Sequence, residues 1–234
     1  MNESEWLACD DPRLLLTFMR GKASDRKYRL FMLNCCYHLR HLLVDKPYRR
    51  TVEIAEQFVD GSIDYSELAV ARELAEHIAW WGSNEGTFGP LWLAGWYRDA
   101  HEGALAISSD PDAAAVLALA TTMDNAQAAA EELCVPWALG LGANPVVMAS
   151  TLRDVFHAPY RGVVARAAWR MWQGGIVPKL AQAIYDERSF DRLPILADAL
   201  EEAGCTDADI LNHCRQPGEH VRGCWVVDLL LGKT

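Results

Sequence analysis

Residues 190–205, FDRLPILADALEEAGC, are the stretch that best indicates how this chain folds. Its apolar residues recur at helical spacing, which predicts an amphipathic helix with one buried face. That face comprises Phe190, Leu193, Leu196, Ala197 and Leu200. Asp198, Glu201 and Glu202 lie off this face, so we expect them to contact water. Gly204 tolerates a positive φ, and we expect it to end the helix.

Two further helices are predicted after this stretch. Thr206 is expected to cap the first, because Asp209 follows it three residues later as an acidic relative of the capping box. Residues 217–218, Pro-Gly, then interrupt the chain. The last apolar segment, residues 224–231, contains only Asp228 as a charged residue. We interpret this segment as a buried helix, with a short strand as the alternative.

The rest of the chain also shows apolar residues at helical spacing, in segments separated by helix-capping and helix-breaking residues. Asp11 before Pro12, and Asp64 with Glu67, are typical helix starts. A loop is predicted at 82–90 and a helix at 91–107, which carries Trp92 and Trp96. No alternating strand pattern intervenes, so we predict an all-α fold. We expect an irregular multi-helix bundle of about eight to ten helices in a single domain, 1–234, with a possible subdivision near 134–145.

Composition narrows the class of protein. Apolar residues make up 51% of the chain, which is typical of a globular protein. No apolar run is long enough for a membrane span, and the first residues do not resemble a signal peptide. The seven cysteines show no disulfide framework. We therefore expect reduced thiols and a cytoplasmic location, with no membrane partner.

Charge is distributed unevenly along the chain. Residues 1–50 have a net charge of +4, residues 51–150 of −13 and residues 151–234 of −1. The basic 20–50 segment could bind nucleic acid, or it could balance the acidic middle of the chain. The candidate patch is centred on Lys22, Arg26, Lys27, Arg29, Lys46, Arg49 and Arg50. The overall negative charge favours internal balance, because phosphate binding needs a positive face.

The C-terminal region also contains a group of potential metal ligands. His213, Cys214, His220 and Cys224 are of the residue types that bind zinc. Adjacent side chains diverge on a helix, however, and the chain has no CxxC pair. Buried thiols and hydrogen-bonded histidines explain the group more simply, so we assign no metal and no cofactor.

Motifs for catalysis are incomplete. His101-Glu102 begins like the HExxH metalloprotease motif but lacks the second histidine. There is no Walker loop and no GxSxG elbow. A second Cys/His group, Cys35, Cys36, His38 and His41, is interpreted as core packing. The chain is therefore not expected to be an enzyme.

Residues 196–205, 213–215, 220–225 and 228–232 carry a pattern of the form LADALEEAGC…HCR…HVRGCW…DLLLG. This pattern resembles the C-terminal segment of an uncharacterised family of bacterial proteins. Residues 5–9 and 19–27 are also similar to that family. Some of its members are labelled as cell-wall-regulator-like, of the SMI1/KNR4 type. The resemblance implies kinship and no particular activity.

We therefore predict a non-enzymatic helical interaction module that binds protein. Its candidate binding residues are His213, His220, Arg222 and Cys224. We expect His220 and Arg222 at the surface beside His213, with Cys224 and Trp225 packed inward. The alternatives are an enzyme or metal-binding protein that uses the His213/His220/Cys224 region, and nucleic-acid binding through the basic 20–50 segment.

If the basic 20–50 segment only balances internal charge, DNA and RNA should bind weakly and without sequence preference. An electrophoretic shift titration at several salt concentrations measures this. Tight binding that falls steeply with added salt would instead identify a phosphate-binding face.

Overall fold

The computed structural model describes residues 1–43, 46–81, 111–157 and 162–233. The loop predicted at 82–90 and the helix predicted at 91–107, with Trp92 and Trp96, lie outside these residues, as does His101. None of the helices in the described ranges is long and apolar enough to cross a membrane.

The described residues form thirteen helices and no strand, which confirms the all-α prediction. The first eight are α1 (Glu3–Ala8), α2 (Pro12–Met19), α3 (Asp25–His38), α4 (Lys46–Val59), α5 (Tyr65–Trp81), α6 (Pro111–Ala120), α7 (Ala126–Ala128, continuing through a π turn, Ala129–Cys134, to Val135–Gly140) and α8 (Pro145–Val155). The others are α9 (Ala167–Met171), α10 (Ile176–Glu187), α11 (Leu193–Glu202), α12 (Ala208–Arg215) and α13 (Trp225–Leu231). The number is higher than the predicted eight to ten, and several of the helices, such as α1 and α9, have only one or two turns.

These helices group into two compact units. The N-terminal unit contains Met1 and Ala8–Leu152, and the C-terminal unit contains Asn2–Leu7 and Arg153–Thr234. The division falls within the last turn of α8, later in the chain than the 134–145 stretch considered from the sequence.

Helix α3 is extensively buried in the N-terminal unit, since every residue from Tyr28 to Cys36 is buried. Several cations of the 20–50 segment have partners inside this unit. Arg29 is buried and donates a hydrogen bond to the Thr121 carbonyl at 2.8 Å. Arg26 donates to the Val59 carbonyl at 3.0 Å. These contacts favour the internal role of the basic residues over a phosphate-binding role.

The core of the C-terminal unit follows the predicted apolar face of α11. Leu193, Leu196, Ala197 and Leu200 are fully buried there, with α10, α12 and α13 contributing the surrounding side chains. Asp198, Glu201 and Glu202 are exposed, as expected.

The ends of α11 and α12 depend on two particular residues. Gly204 follows α11 with φ +85°, which confirms its predicted role at the helix end. The predicted cap at Thr206 is wrong. Asp207 is the N-cap of α12, because its carboxylate accepts from the Asp209 and Ile210 amides at 3.0 and 3.4 Å.

Two adjacent residues of α11 test this core. Leu196 is 0% exposed and Ile195 is 57% exposed. Leu196→Ala should lower the free energy of unfolding by about 2–5 kcal/mol, because it leaves a cavity among packed side chains. Ile195→Ala should change it little, and equal losses for the two variants in urea denaturation would contradict this packing.

Candidate functional site

Four polar side chains from separate segments meet inside the C-terminal unit. Asp154 lies in the last turn of α8 and His213 in the last turn of α12. His220 lies in the connection that follows α12, and Cys224 immediately precedes α13. One donor atom of each residue lies within 4.8 Å of the donor atoms of the other three. All four side chains are buried, including that of His220, which is only 7% exposed.

Asp154 is the common partner in this cluster. Its Oδ1 lies 2.5 Å from His220 Nδ1 and 3.1 Å from His213 Nε2. Its Oδ2 accepts a hydrogen bond from the Val221 amide at 2.8 Å. Burial alone would raise the pKa of Asp154, but the hydrogen bonds and favourable electrostatics of His213 and His220 together outweigh it and lower that pKa below the usual value. The carboxylate is therefore ionised at neutral pH.

His213 is held on both sides of its ring. Its Nε2 faces Asp154 and also lies 3.2 Å from Cys224 Sγ. Its Nδ1 accepts a hydrogen bond from Trp225 Nε1 at 3.0 Å and lies 3.3 Å from Gln216 Nε2. The indole N–H is only a donor, so Nδ1 has no hydrogen in this arrangement and Nε2 of the neutral ring carries it.

Cys224 does not have the environment of a catalytic nucleophile. The thiol is fully buried, and this burial raises its pKa well above the usual value. A nucleophilic cysteine is partly exposed and has a depressed pKa. Binding of a metal ion would overcome the raised pKa, because coordination deprotonates a thiol.

The structure brings together three of the four candidate binding residues, His213, His220 and Cys224. It places the fourth, Arg222, elsewhere, with its guanidinium carbon 4.7 Å from the centre of the Tyr185 ring. Cys214 is buried in the apolar core but does not belong to the cluster.

The expected surface position of His220 is wrong, because its side chain turns inward to Asp154. Arg222 is only partly exposed. The expectation that Cys224 and Trp225 pack inward is confirmed, since both are buried. Contact with Asp154 explains the difference at His220, because this carboxylate binds both the imidazole and the following Val221 amide.

Asp154 is the site residue that the sequence analysis missed. It lies 66 residues before His220, in a helix whose neighbouring Leu152 and Val155 are core residues. The one local signal is a charged residue next to buried positions of a helix. A buried carboxylate usually has a charged or hydrogen-bonding partner. The sequence around Asp154 does not show which distant residue that partner is.

The second Cys/His group does not converge. Cys35 and Cys36 are buried, and Cys36 Sγ donates to the Leu117 carbonyl at 3.5 Å, in agreement with core packing. His38 and His41 are exposed. Among the described residues, only the Asp154 cluster brings together three or more potential metal ligands.

Comparison of the chain with protein-family models, with curated proteins and with solved structures finds no match. The resemblance to a bacterial family therefore stays a prediction. Functional assignment depends on the chemistry of the side chains themselves.

Removal of Asp154 should strongly destabilise the protein. Asp154→Ala leaves two imidazoles and the Val221 amide without their acceptor, so we expect a loss of about 3–5 kcal/mol in the free energy of unfolding. Asp198→Ala is the matched control, since that carboxylate is 69% exposed and pairs with Arg215 at the surface. Thermal unfolding of both variants checks this, and a tolerated Asp154→Ala would contradict the assigned role.

Proposed function

We propose that the C-terminal unit binds one transition-metal ion, Zn²⁺ in first place, through Asp154, His213, His220 and Cys224. The observation that carries this proposal is the convergence of one buried donor atom from each residue within 4.8 Å. This replaces the assignment of no metal made from the sequence.

The distances between donor atoms support a tetrahedral ion. Bonds of about 2.0–2.3 Å to zinc place neighbouring ligand atoms roughly 3.3–3.8 Å apart. Three pairs of donor atoms in the cluster are separated by 2.5, 3.1 and 3.2 Å. For these three pairs, accommodating the ion requires the atoms to move apart by about 1 Å or less, and the remaining pairs lie within 4.8 Å.

The types of ligand also favour zinc. One thiolate, two imidazoles and one carboxylate form a mixed sulfur, nitrogen and oxygen set, which suits Zn²⁺ and not Mg²⁺ or Ca²⁺. The thiolate and the carboxylate together balance the two positive charges of the ion. A neutral complex is the form that is least costly to bury.

His220 supplies a further argument. Its Nε2 is buried and has no hydrogen-bond partner among the described residues. A buried polar atom of this kind calls for a specific explanation, and an ion is one. If Nε2 is the ligand, Nδ1 donates to Asp154, which is the usual carboxylate–histidine–metal arrangement, and Asp154 then orients His220 without itself binding the ion. If Nδ1 is the ligand, Asp154 and His220 bind the ion side by side.

The site suits a structural ion better than a catalytic one. With His220 Nδ1 and Asp154 both bound, four protein ligands fill a tetrahedral shell, whereas catalytic zinc retains a position for water. The ligands come from the end of α8, the end of α12 and the start of α13. The ion would therefore hold the connection between α12 and α13 to the last turn of α8. This assignment agrees with a non-enzymatic helical module, and the protein-binding role stays a prediction.

Untagged protein purified without added metal should contain about one zinc ion per chain, measured by inductively coupled plasma mass spectrometry. Cys224→Ser should lower the zinc content sharply, and a chelator should lower the melting temperature of the wild type. Cys9→Ser is the control, because Cys9 is outside the cluster. Protein without stoichiometric metal, even after refolding with zinc, would contradict the proposal.

A further inference from the structure

We infer that Trp225 and Gln216 set the metal affinity of this site in opposite directions, Trp225 lowering it and Gln216 raising it. This inference rests on the proposed function. Its basis is the pair of contacts to His213 Nδ1, at 3.0 Å from Trp225 Nε1 and 3.3 Å from Gln216 Nε2.

The position of one hydrogen atom on His213 links these contacts to metal binding. A neutral imidazole carries a single N–H, and the other nitrogen is an acceptor or a metal ligand. The bond from Trp225 requires the hydrogen to be on Nε2, which faces Asp154 and Cys224. An ion bound at Nε2 requires it to be on Nδ1 instead.

Trp225 therefore opposes the metal-bound form. With the hydrogen on Nδ1, two N–H groups would face each other across the 3.0 Å that separates the ring nitrogens. An indole has no acceptor atom, so it cannot reverse the hydrogen bond. Trp225 is also buried, and its ring lies 4.3 Å from that of His157. Metal binding thus leaves a buried indole N–H without its acceptor, which is costly.

Gln216 has the opposite effect because its amide can reverse. It is the exposed C-cap residue of α12, so rotation of its side chain meets little restraint. Turning the amide presents Oε1 to Nδ1–H in place of the N–H group. Metal-bound histidines characteristically donate their second N–H to such an acceptor, which fixes the ring and strengthens the ligand.

The consequence is a site that releases its ion more readily than its four ligands alone would. The metal-free form keeps its own hydrogen-bonded arrangement, so the ion binds less tightly than it would without the Trp225 indole N–H. Residues 216–224 connect α12 to α13 and contribute two of the four ligands. A bound ion would therefore restrain the connection between α12 and α13.

The test is a zinc competition titration against a chromophoric chelator, with the intact wild-type chain and four variants. Trp225→Phe should bind zinc about tenfold more tightly, because the competing donor is lost, and Gln216→Ala about tenfold more weakly. Gln216→Glu should bind more tightly than wild type, because a carboxylate is a stronger acceptor for Nδ1–H. Asn212→Glu, which adds the same charge at an exposed position of α12, should stay close to wild type. The Trp225 indole resonance should shift when wild-type protein is loaded with zinc.

The outcomes separate the two proposals. If the wild type binds no zinc, both the metal site and this inference fall. The inference is overturned and the metal site stands if the wild type binds zinc but Gln216→Ala does not bind it more weakly. The same holds if Gln216→Glu does not bind it more tightly. The same holds if correctly folded Trp225→Phe binds zinc no more tightly, or if Asn212→Glu reproduces the effect of Gln216→Glu.

Discussion

The carboxylate of Asp154 is the interaction on which the arrangement of the C-terminal site depends. It accepts the Val221 amide and contacts His213 and His220 in a region closed to solvent. A buried charge is costly unless it is paired and hydrogen-bonded, and these three partners supply that compensation. Because they follow Asp154 by 59 to 67 residues, the carboxylate joins the end of α8 to two later segments of the chain.

The helical core makes this arrangement possible. Cys224 and Trp225 belong to the same buried cluster as Leu196 and Leu200, so the start of α13 is fixed by apolar packing. Trp225 in turn fixes the ring of His213 through its indole N–H. Packing therefore positions two of the ligands, and the carboxylate then holds His220. Packing and the carboxylate thus hold the four ligands close together before an ion binds, and the Trp225 hydrogen bond to His213 is the contact that binding must break.

Features that depend on local apolar packing could be predicted from the sequence, whereas contacts between residues far apart in the chain could not. The face of α11 from Leu193 to Leu200 and the helix end at Gly204 are encoded by local spacing, and both are confirmed. The inward position of Trp225 follows from an apolar segment in the same way. His220 was expected outside because residues 219–222, between Gly218 and Gly223, were interpreted as a short polar turn. Its burial depends on Asp154, and no local pattern indicates a partner 66 residues away.

X-ray absorption at the zinc edge, on protein purified without added metal, tests the central claim most directly. The account predicts one sulfur at about 2.3 Å and three nitrogen or oxygen ligands at about 2.0–2.2 Å. This combination follows from one cysteine, two histidines and one aspartate in the cluster. Zinc surrounded only by nitrogen and oxygen, or protein that contains no zinc, would contradict it.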